Sequence, residues 1–596
     1  MAETMKTHGA GTLRATDAGG EVTLAGWVAK RRDHGGVVFV DMRDATGIVQ
    51  VVLNPEDAPA SEADLRGIRS EYCIRVTGTV RLRPGDMANP DMPTGDVEVV
   101  GQAMEILSPS NPLPFQIDDR IDVEEAKRLQ YRYLDLRRPA MTENLLARSR
   151  AIRVMRDVME GAGFLEVETP TLIASTPEGA RDMLVPSRLR PGNFYALPQS
   201  PQLFKQLLMI SGIERYYQIA RCYRDEDMRS DRQLEFAQLD FEGSFWGQED
   251  VLETLEEISV AVTKAIRGVD LERPFPRLTW HEAMERYGTD KPDIRFGMEI
   301  ANLDAVFGET GFKAFAGVLA SGGTVRGINA GPLGLSRSGL DGVSSRAQEL
   351  GAKGLVWMVA EEDGSLRSPV AKFLSEAELA DLGAAFGAVA GDTLLIVADE
   401  KKTVLDVLGQ LRLEMGQPEG HDELAYLFVV DFPVFERNED GDFVALHHPF
   451  TSPVDVRKMR EDPGHAISKA YDLVLNGSEL GSGSVRIHDP AVQAQVFEIL
   501  GISDEDADRR FGWFLEALRY GTPPHAGFAI GIDRLVAILQ GLPNIREVIP
   551  FPKTQTGADP LTGSPSRVDD AQLRELGVDV RPEVKAEWAA AEAEGD

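Results

Sequence analysis

The stretch Tyr216–Glu242 constrains the fold of this chain more than any other, because it reads as two β-strands joined by a loop crowded with charge. Polar and apolar residues alternate along both predicted strands, so the polar side chains of each strand share one face. An arginine, a carboxylate and an aromatic ring on one sheet face can bind a phosphate, an amino group and a purine, respectively. The side chains predicted to line a single pocket are those of Arg224, Glu226, Phe236, Gln238 and Asp240.

The loop between these strands, Asp227–Gln233, carries two acids and two arginines but neither Gly nor Pro. A plain surface hairpin normally has a short turn rich in Gly or Asn. The loop therefore favours a functional hairpin. From this stretch alone, a charged hairpin with one solvated face stays open as the alternative.

The length of 596 residues exceeds what one hydrophobic core supports, so a few domains are expected. The chain has no apolar run of about 18 residues, and its start, MAETMKTHGA, lacks an apolar signal core. These features predict a cytoplasmic protein with no membrane partner. Cys73 and Cys222 lie far apart in the sequence, which argues against a disulfide framework and a Cys-rich zinc site.

The net charge of −33 argues against a nucleic-acid partner only when it is averaged over the whole chain. Electrostatic fields are screened within about 8 Å at physiological salt, so local patches decide the matter. Positive charge is concentrated near the start, at Lys30, Arg31, Arg32, Arg43, Arg75, Arg81 and Arg83.

Residues 1–110 contain several short predicted strands at regular spacing, which indicates a small β-barrel. Phe39 and His34 supply rings that can stack on unpaired bases, and Gln50 can hydrogen-bond a base edge. The segment therefore predicts a single-strand-binding OB-fold. A small barrel with a charged exterior is the alternative of about equal weight.

The rest of the chain divides by composition into a linker, a larger domain and an insertion. Residues 111–140 form a proline-stiffened hinge, and a helix from Met141 leads into a predicted strand, Phe164–Pro170. Residues 291–422 are rich in Gly and Ala and alternate strands with helices, which predicts a separate α+β insertion. The larger domain then comprises residues 141–290 and 423–560, and residues 561–596 form a C-terminal extension with a solvated helix.

Several charged side chains of the larger domain fall on predicted strands or at the entry of predicted helices. Lys205 follows Gln199, Ser200 and Gln202 at a helix entry, where a cation and the helix N-terminus together favour an anion. A solvated helix lysine is the alternative. Paired carboxylates near an arginine can hold magnesium against phosphates while the arginine binds a carboxylate. The residues of that second pattern are Asp472, Glu479 and Arg486.

Three segments resemble, in order, motifs 1, 2 and 3 of the class II aminoacyl-tRNA synthetases. Motif 1 is the helix and strand closed by Pro170, motif 2 is the charged hairpin, and motif 3 is PPHAGFAIGIDRLVAIL with Gly527 and Gly531. Together with QSPQLFK, TPEGARD, HHPFT and NGSELGSGSVRI, they make the chain similar to bacterial-type aspartyl-tRNA synthetases over nearly its whole length. The resemblance implies an α+β multidomain fold: an N-terminal OB-fold barrel for the anticodon, an antiparallel catalytic sheet flanked by helices, and a GAD-like insertion.

The resemblance also implies roles for single residues. Arg224 and Arg534 are implied to be catalytic, with Arg224 on the α-phosphate and the aspartate α-carboxylate. Phe236 and Arg534 would lie on opposite faces of the adenine, and Glu226 would read its amino group. The residues implied to bind ATP are Arg224, Asp225, Glu226, Gln233, Phe236, Glu479, Gly531, Ile532, Asp533 and Arg534. Those implied to bind aspartate are Glu178, Gln202, Lys205, Arg224, Asp240, His447 and Arg486. Asp472 and Glu479 would hold Mg²⁺.

The implied reaction activates L-aspartate with ATP and then transfers it to the 3′ end of tRNA(Asp). Phe39 and Gln50 are implied to contact the anticodon. His34 resembles the residue of relaxed enzymes that also charge tRNA(Asn), whereas Gly85-Asp86 departs from the Glu-Gly that relaxed enzymes often have. Relaxed charging would require a partner amidotransferase, and motif 1 implies a homodimer.

Three alternatives stay open. The first is a strict enzyme that charges tRNA(Asp) only. The second is an asparaginyl- or lysyl-tRNA synthetase on the same scaffold. Lys205 and Arg486, which are implied to bind the side-chain carboxylate of the substrate, favour an acidic amino acid instead. The third is a catalytically dead RNA-binding paralogue, against which the intact Arg224, Glu226, Asp472, Glu479 and Arg534 argue.

Overall fold

The structure, a computed structural model, describes residues 5–54, 65, 67–85, 87–176, 180–416 and 422–595. The chain separates into two compact units. The first comprises Met1–Leu146, Pro550–Thr554 and Ala558–Ser564, and the second comprises the remaining residues. Among the described residues, no helix is both long and apolar enough to cross a membrane.

The first unit is built on a closed five-stranded barrel with the strand order β1-β2-β3-β5-β4. Burial alternates along β2 because successive side chains point into and out of the barrel. Gly35 and Gly36, with φ of 62° and 89°, form the two-residue turn between β1 and β2, a conformation that glycine adopts without strain. The barrel predicted from the sequence is therefore confirmed. Its strands are β1 Glu21–His34, β2 Val37–Asp44, β3 Gly47–Leu53, β4 Cys73–Leu82 and β5 Val97–Ser108.

The segment after the barrel contains two short helices, α1 Glu125–Gln130 and α2 Arg132–Asp135. The buried Asp135 carboxylate accepts from Arg128 Nε at 2.9 Å and from Arg132 Nη1 at 2.6 Å. The predicted hinge, residues 111–140, thus contains ordered helix held by charge pairs. The domain boundaries drawn from the sequence stay predictions.

The second unit is organised around an eight-stranded sheet with the order β11-β17-β20-β21-β22-β10-β9-β6. All neighbouring strands in it are antiparallel except the pairs β11–β17 and β6–β9. Its core packs against the helix Gln248–Arg267 (α5), whose Val251, Leu255 and Ile258 are fully buried. The strands are β6 Leu165–Glu166, β9 Arg215–Tyr223, β10 Glu235–Ser244, β11 Arg277–Thr279, β17 Tyr426–Val430, β20 Ala470–Leu475, β21 Ser478–Val485 and β22 His525–Gly531.

The strand predicted for Phe164–Pro170 is much shorter than expected, because only Leu165–Glu166 pairs as a strand with β9. Val167 still donates its N–H to the Tyr217 carbonyl at 3.0 Å. At Thr169 the backbone N–H instead donates to the side-chain Oε1 of Gln218 at 3.2 Å, so the ladder ends there.

The insertion has a sheet of its own, with the order β12-β13-β16-β14-β15 and helices around it. Its α+β character agrees with the sequence prediction. Its strands are β12 Ala301–Asn302, β13 Thr324–Asn329, β14 Leu355–Ala360, β15 Leu366–Arg367 and β16 Thr393–Asp399. Its helices are α7 Lys313–Ala320, α8 Arg337–Glu349, α9 Glu376–Phe386 and α10 Lys401–Met415.

The remaining elements flank the large sheet or follow it. Two small hairpins are formed by β7 Leu184–Pro186 with β8 Phe194–Ala196 and by β18 Phe435–Arg437 with β19 Phe443–Ala445. The other helices are α3 Pro139–Gly161, α4 Gln202–Ile210, α5 Gln248–Arg267, α6 Trp280–Tyr287, α11 Val456–Glu461, α12 Pro490–Ile499, α13 Asp504–Ala517, α14 Ile532–Leu539, α15 Asp570–Leu576 and α16 Pro582–Gly595.

Candidate active site

A cavity of about 490 Å³ opens on one face of the eight-stranded sheet. It is bounded by α4, by the β9–β10 hairpin, by β20 and β21, and by the turn from β22 into α14. The sequence-predicted residues that line it are Gln202, Lys205, Arg224, Glu226, Gln233, Phe236, Gln238, Asp240, His447, Asp472, Glu479, Arg486, Gly531, Asp533 and Arg534. Side chains distant in sequence are thus brought together as the resemblance requires.

Two predicted residues do not join this group. Ile532 is fully buried in the hydrophobic core and lies outside the cavity lining. Asp225 is exposed and lies outside the cavity lining. Glu178, like Asp86 of the first unit, falls outside the residues that the structure describes.

One end of the cavity is a buried charge network centred on Glu242. Lys205 Nζ lies 2.8 Å from Asp240 Oδ2 and 3.1 Å from Glu242 Oε2. Arg486 donates from Nε to Glu242 Oε1 at 2.9 Å and from Nη2 to Glu242 Oε2 at 3.2 Å. All four side chains are at most 2% exposed. Lys205 is therefore not a solvated helix lysine.

The charges in this network shift one another's protonation. Burial raises the pKa of Glu242, but the nearby charges of Arg486 and Lys205 outweigh it and lower that pKa to about 2. Burial raises the pKa of Asp240 above its ordinary value, although Lys205 opposes the shift. Oδ1 of Asp240 is buried and has no hydrogen-bond partner among the residues that the structure describes. Asp240 lines the cavity, so this oxygen is available as an acceptor for a ligand there.

Sequence reasoning missed two members of this network, Glu242 and His448. Glu242 continues the alternation of Phe236, Gln238 and Asp240 along β10, so the period of two could have identified it. Its carboxylate fits because residue 527 is glycine; a Cβ there would lie 2.0 Å from Glu242 Oε2. No comparable periodic pattern in the sequence identifies His448.

His448 is half-buried and lies beside Arg486. Burial lowers its pKa well below the ordinary value, and the charge of Arg486 adds to this effect. The ring is therefore neutral, and its Nε2 accepts from Arg486 Nη1 at 2.7 Å. The guanidinium of Arg486 is thus held from two sides, by Glu242 and by His448.

The opposite end of the cavity carries Arg224, Phe236 and Arg534. The Arg224 guanidinium carbon lies 5.2 Å from the centre of the Phe236 ring, and Arg224 Nε is buried with no partner in the described part of the chain. Arg534 donates from Nη1 to the Glu479 carbonyl and from Nη2 to Asp231 Oδ2 at 3.0 Å. Glu226 pairs with Arg232 Nη1 at 3.0 Å. This end combines cations with an aromatic face, which suits a nucleotide.

Between the two ends lies a group of acids. Burial raises the pKa of Asp472 to about 7, and the negative charges of Glu479 and Asp290 contribute to the shift. His447 Nε2 lies 3.2 Å from Asp472 Oδ1; burial lowers the pKa of His447, but this contact prevails and raises it. Within the described part of the chain, no group of three or more His, Cys, Asp or Glu side chains is arranged to hold a metal ion. Two carboxylates suit Mg²⁺, which takes its other ligands from water and phosphates.

Other predicted residues are held by the protein itself. Gln202 Nε2 donates to Gln206 Oε1 at 3.1 Å. Gln233 is buried in the cavity wall. Gln199 donates to Asp182 Oδ1 at 2.6 Å and to the Ala180 carbonyl at 2.8 Å, which fastens the segment after Glu178 to the entry of α4.

In the barrel, the residues predicted to contact RNA share the outward face of β1, β2 and β3. Phe39 pairs with Arg32, and Gln50 pairs with Asp41. His34 is exposed beside the glycine turn. The basic patch is weaker than the arginine count suggests, because strand pairing brings acids to the arginines: Arg32–Asp41 at 2.6 Å, Arg43–Glu71 at 2.7 Å, Arg75–Glu105 at 2.8 Å and Arg81–Glu98 at 2.5 Å.

Comparison with protein families and solved structures agrees with this geometry. The family described as tRNA synthetases class II (D, K and N) matches residues 124–555, and the OB-fold nucleic acid binding domain matches residues 22–107. Two solved structures share the fold: asparaginyl-tRNA synthetase from Pyrococcus horikoshii complexed with asparaginyl-adenylate and aspartyl tRNA synthetase from Entamoeba histolytica. For the first, the TM-score is 0.57 at 19% identity, covering 93% of this chain and 99% of that chain. For the second, it is 0.56 at 20% identity, covering 90% and 89%.

Curated relatives are far more similar in sequence. The aspartate--tRNA(Asp/Asn) ligase of Moorella thermoacetica is 52% identical over 581 residues, which is 96% of each chain. The ligase of the same name from Thermobifida fusca is 51% identical over 584 residues, covering 97% of this chain and 99% of the relative. The chain therefore belongs to the aspartate--tRNA ligase family, the ATP-dependent class II aminoacyl-tRNA synthetases that act on aspartate.

Proposed function

We propose that this enzyme activates L-aspartate and attaches it to both tRNA(Asp) and tRNA(Asn). The observation that carries the choice of amino acid is the buried network of Lys205, Arg486, Asp240 and Glu242. The charges of its two cations and two carboxylates cancel. Aspartate adds one negative charge on its side chain and one positive charge on its α-ammonium. The network therefore stays neutral when aspartate binds.

Each atom of the proposed aspartate pose has a partner available. Lys205 Nζ has three protons, of which Asp240 and Glu242 take two, so one remains for the substrate side-chain carboxylate. Arg486 would take the same carboxylate, held in position by Glu242 and His448. The unpartnered Asp240 Oδ1 would accept from the α-ammonium, with Gln202 beside it. Glu178 and His447 are proposed to complete this subsite.

The same subsite rejects asparagine. A neutral side-chain amide would leave the network with one uncompensated positive charge in a buried site. Lysine would bring a third cation next to Lys205 and Arg486. This is the physical reason for preferring aspartate to the other two amino acids that this scaffold serves.

ATP is proposed to bind at the other end of the cavity. Phe236 and Arg534 would enclose the adenine, Glu226 would read its amino group, and Arg224 would bind the α-phosphate. Gln233, Asp225 and the backbone of Gly531–Asp533 are proposed to contribute to the same subsite. Asp472 and Glu479 would hold Mg²⁺, which neutralises the phosphate charge when it is bound.

The chemistry then needs positioning and charge neutralisation rather than a protein base. An oxygen of the aspartate α-carboxylate attacks the α-phosphorus, the bond to pyrophosphate breaks, and aspartyl-adenylate forms. A ribose hydroxyl at the 3′ end of tRNA next attacks the carbonyl carbon, and AMP leaves. Arg224, which contacts both reacting groups in this pose, would stabilise the charge of the pentacovalent phosphorus.

Charging of tRNA(Asn) is supported by the names of the relatives and by His34. In the barrel, Phe39, Gln50 and His34 would contact the anticodon, and a small polar tip beside Gly35 and Gly36 would tolerate more than one base. The product Asp-tRNA(Asn) would need an amidotransferase as a partner. The tRNA substrates imply a cytoplasmic location.

A homodimer is proposed for the second unit. The strand β6 lies at the edge of the large sheet, and Leu165 and Leu172 beside it are 56% and 52% exposed. An exposed apolar edge strand favours pairing with a second copy.

The test is aminoacylation of purified tRNA(Asp) and tRNA(Asn) transcripts with aspartate, comparing the wild type with His34→Leu. We expect the wild type to charge both and the variant to lose charging of tRNA(Asn) selectively. If the wild type charges tRNA(Asp) alone, the enzyme is strict. If both proteins charge tRNA(Asn) equally, His34 has no part in the choice.

A further inference from the structure

The carboxylate of Asp533 holds three separate parts of the second unit together. Oδ1 accepts from Arg148 Nε of α3 at 2.8 Å, and Oδ2 accepts from the backbone N–H of Ala237 in β10 at 2.9 Å. The Asp533 side chain is 4% exposed and that of Arg148 is 19% exposed. Both oxygens accept hydrogen bonds from the protein, so the structure gives this side chain a positioning contact beside the ATP contact that the resemblance implies.

The contact with Ala237 replaces a missing ladder bond. The ladder between β10 and β22 ends at the pair Gln238–Gly531, where the chain turns into α14. Ala237, which precedes Gln238 in β10, lies just beyond this ladder. Its N–H donates to Asp533 instead of to a strand carbonyl. The carboxylate thereby fixes the first turn of α14 against β10.

Asp533 stands between the two proposed walls of the adenine subsite. Phe236 directly precedes Ala237, and Arg534 directly follows Asp533 in the chain. Both side chains line the cavity. The spacing between these walls therefore depends on the hydrogen bond from Ala237 to Asp533.

Arg148 makes that spacing stable. A buried carboxylate without a cation is costly, and the Nε contact supplies both charge and direction. Without Arg148, the carboxylate would turn towards water or towards Arg534 and would release Ala237.

We propose that Arg148 and Asp533 form a positioning pair that sets the separation of Phe236 and Arg534, and thereby the affinity for the adenine of ATP. The inference rests on the proposed function of the cavity. It predicts a selective effect, because the pair acts on the adenine end and not on the aspartate end or on the phosphates.

The experiment measures aspartate-dependent ATP–pyrophosphate exchange for the wild type, Arg148→Leu, Arg148→Lys and Asp533→Asn. We expect Arg148→Leu to raise the KM for ATP roughly 10-fold, below the 100-fold loss that about 1 Å of misplacement can cause. The KM values for aspartate and for pyrophosphate should stay within about twofold of wild type. Arg148→Lys, which keeps the charge, should recover most of the ATP affinity. Asp533→Asn keeps an acceptor for Ala237 but loses the charge. Its KM for ATP should therefore lie between those of Arg148→Leu and Arg148→Lys.

The matched control is Arg267→Leu. Arg267 also fastens α14 from a neighbouring helix, donating from Nη1 to the Leu539 carbonyl at 2.9 Å, but at the end of α14 remote from the cavity. It should lower the unfolding temperature without changing the KM for ATP. If Arg148→Leu does not fold, the KM values of Arg148→Lys and Asp533→Asn for ATP, aspartate and pyrophosphate are compared with those of the wild type instead.

Two failures are distinguishable. If the wild type shows no aspartate-dependent exchange, the proposed function is wrong. If the wild type exchanges but the folded variants change the KM values for ATP, aspartate and pyrophosphate equally, or change none of them, the positioning pair is wrong while the function stands.

Discussion

Replacing Lys205 by methionine tests the charge network at the aspartate end. Lys205 Nζ touches Asp240 at 2.8 Å and Glu242 at 3.1 Å and is 1% exposed. Removing one partner of a buried ion pair costs about 3–5 kcal/mol, which corresponds to roughly a 10²- to 10⁴-fold loss in rate. We expect Lys205→Met to reduce kcat/KM for aspartate by this factor. Because ATP is proposed to bind at the other end, its affinity should change less than about threefold.

The assay is aspartate-dependent pyrophosphate exchange, with ATP binding measured separately by equilibrium dialysis. Lys264→Met is the matched control, because Lys264 forms an exposed pair with Asp270 at 2.6 Å and should be neutral. The double variant Lys205→Met/Asp240→Asn restores the charge balance and separates misfolding from lost recognition: it should fold like the wild type and still fail to activate aspartate. Activation of aspartate by Lys205→Met at near wild-type efficiency would show that Lys205 does not bind the substrate carboxylate.

Three further predictions follow from the same geometry. Arg486→Leu should abolish aspartate activation and leave ATP binding measurable; retained activation would contradict the second cation's role. The pKa of Glu242 is lowered to about 2 from 4.5, so its charge stabilises the fold above pH 4.5 and this contribution is lost as the pH falls towards 2. The urea midpoint of Glu242→Gln should therefore lie furthest below that of the wild type near pH 7 and approach it below about pH 3, whereas a constant difference would refute the assignment. Light scattering at micromolar concentration should give a dimer, and Leu165→Glu should shift it to monomer; a stable, active wild-type monomer would exclude the proposed interface.

The elements that the sequence predicted well are those with a local period. The alternation along β9 and β10 identified Arg224, Phe236 and Asp240 as neighbours, because the face of a strand follows from the period of two. The barrel was predictable for the same reason. The extended helix of motif 1 was recognisable from its apolar spacing, with Gly161 and Gly163 at its end.

The elements that the sequence did not reveal depend on contacts between distant segments. Glu242 enters the site because Gly527, on another strand, leaves space for its carboxylate. Asp533 belongs to a pattern associated with ATP, yet its oxygens bind Arg148 and Ala237, which only the fold brings to it. The strand at Leu165 ends early because the Gln218 side chain takes a backbone N–H. No period in the sequence encodes such pairings.

ATP–pyrophosphate exchange by the wild-type enzyme, run with aspartate, asparagine and lysine in parallel, measures which amino acid the cavity selects. The neutral network of Lys205, Arg486, Asp240 and Glu242 predicts exchange with aspartate and at least about 10³-fold lower kcat/KM for asparagine, because the site leaves buried charge uncompensated with the amide. Lysine should give no exchange above background. Comparable exchange with asparagine or lysine would show that this network does not select the amino acid.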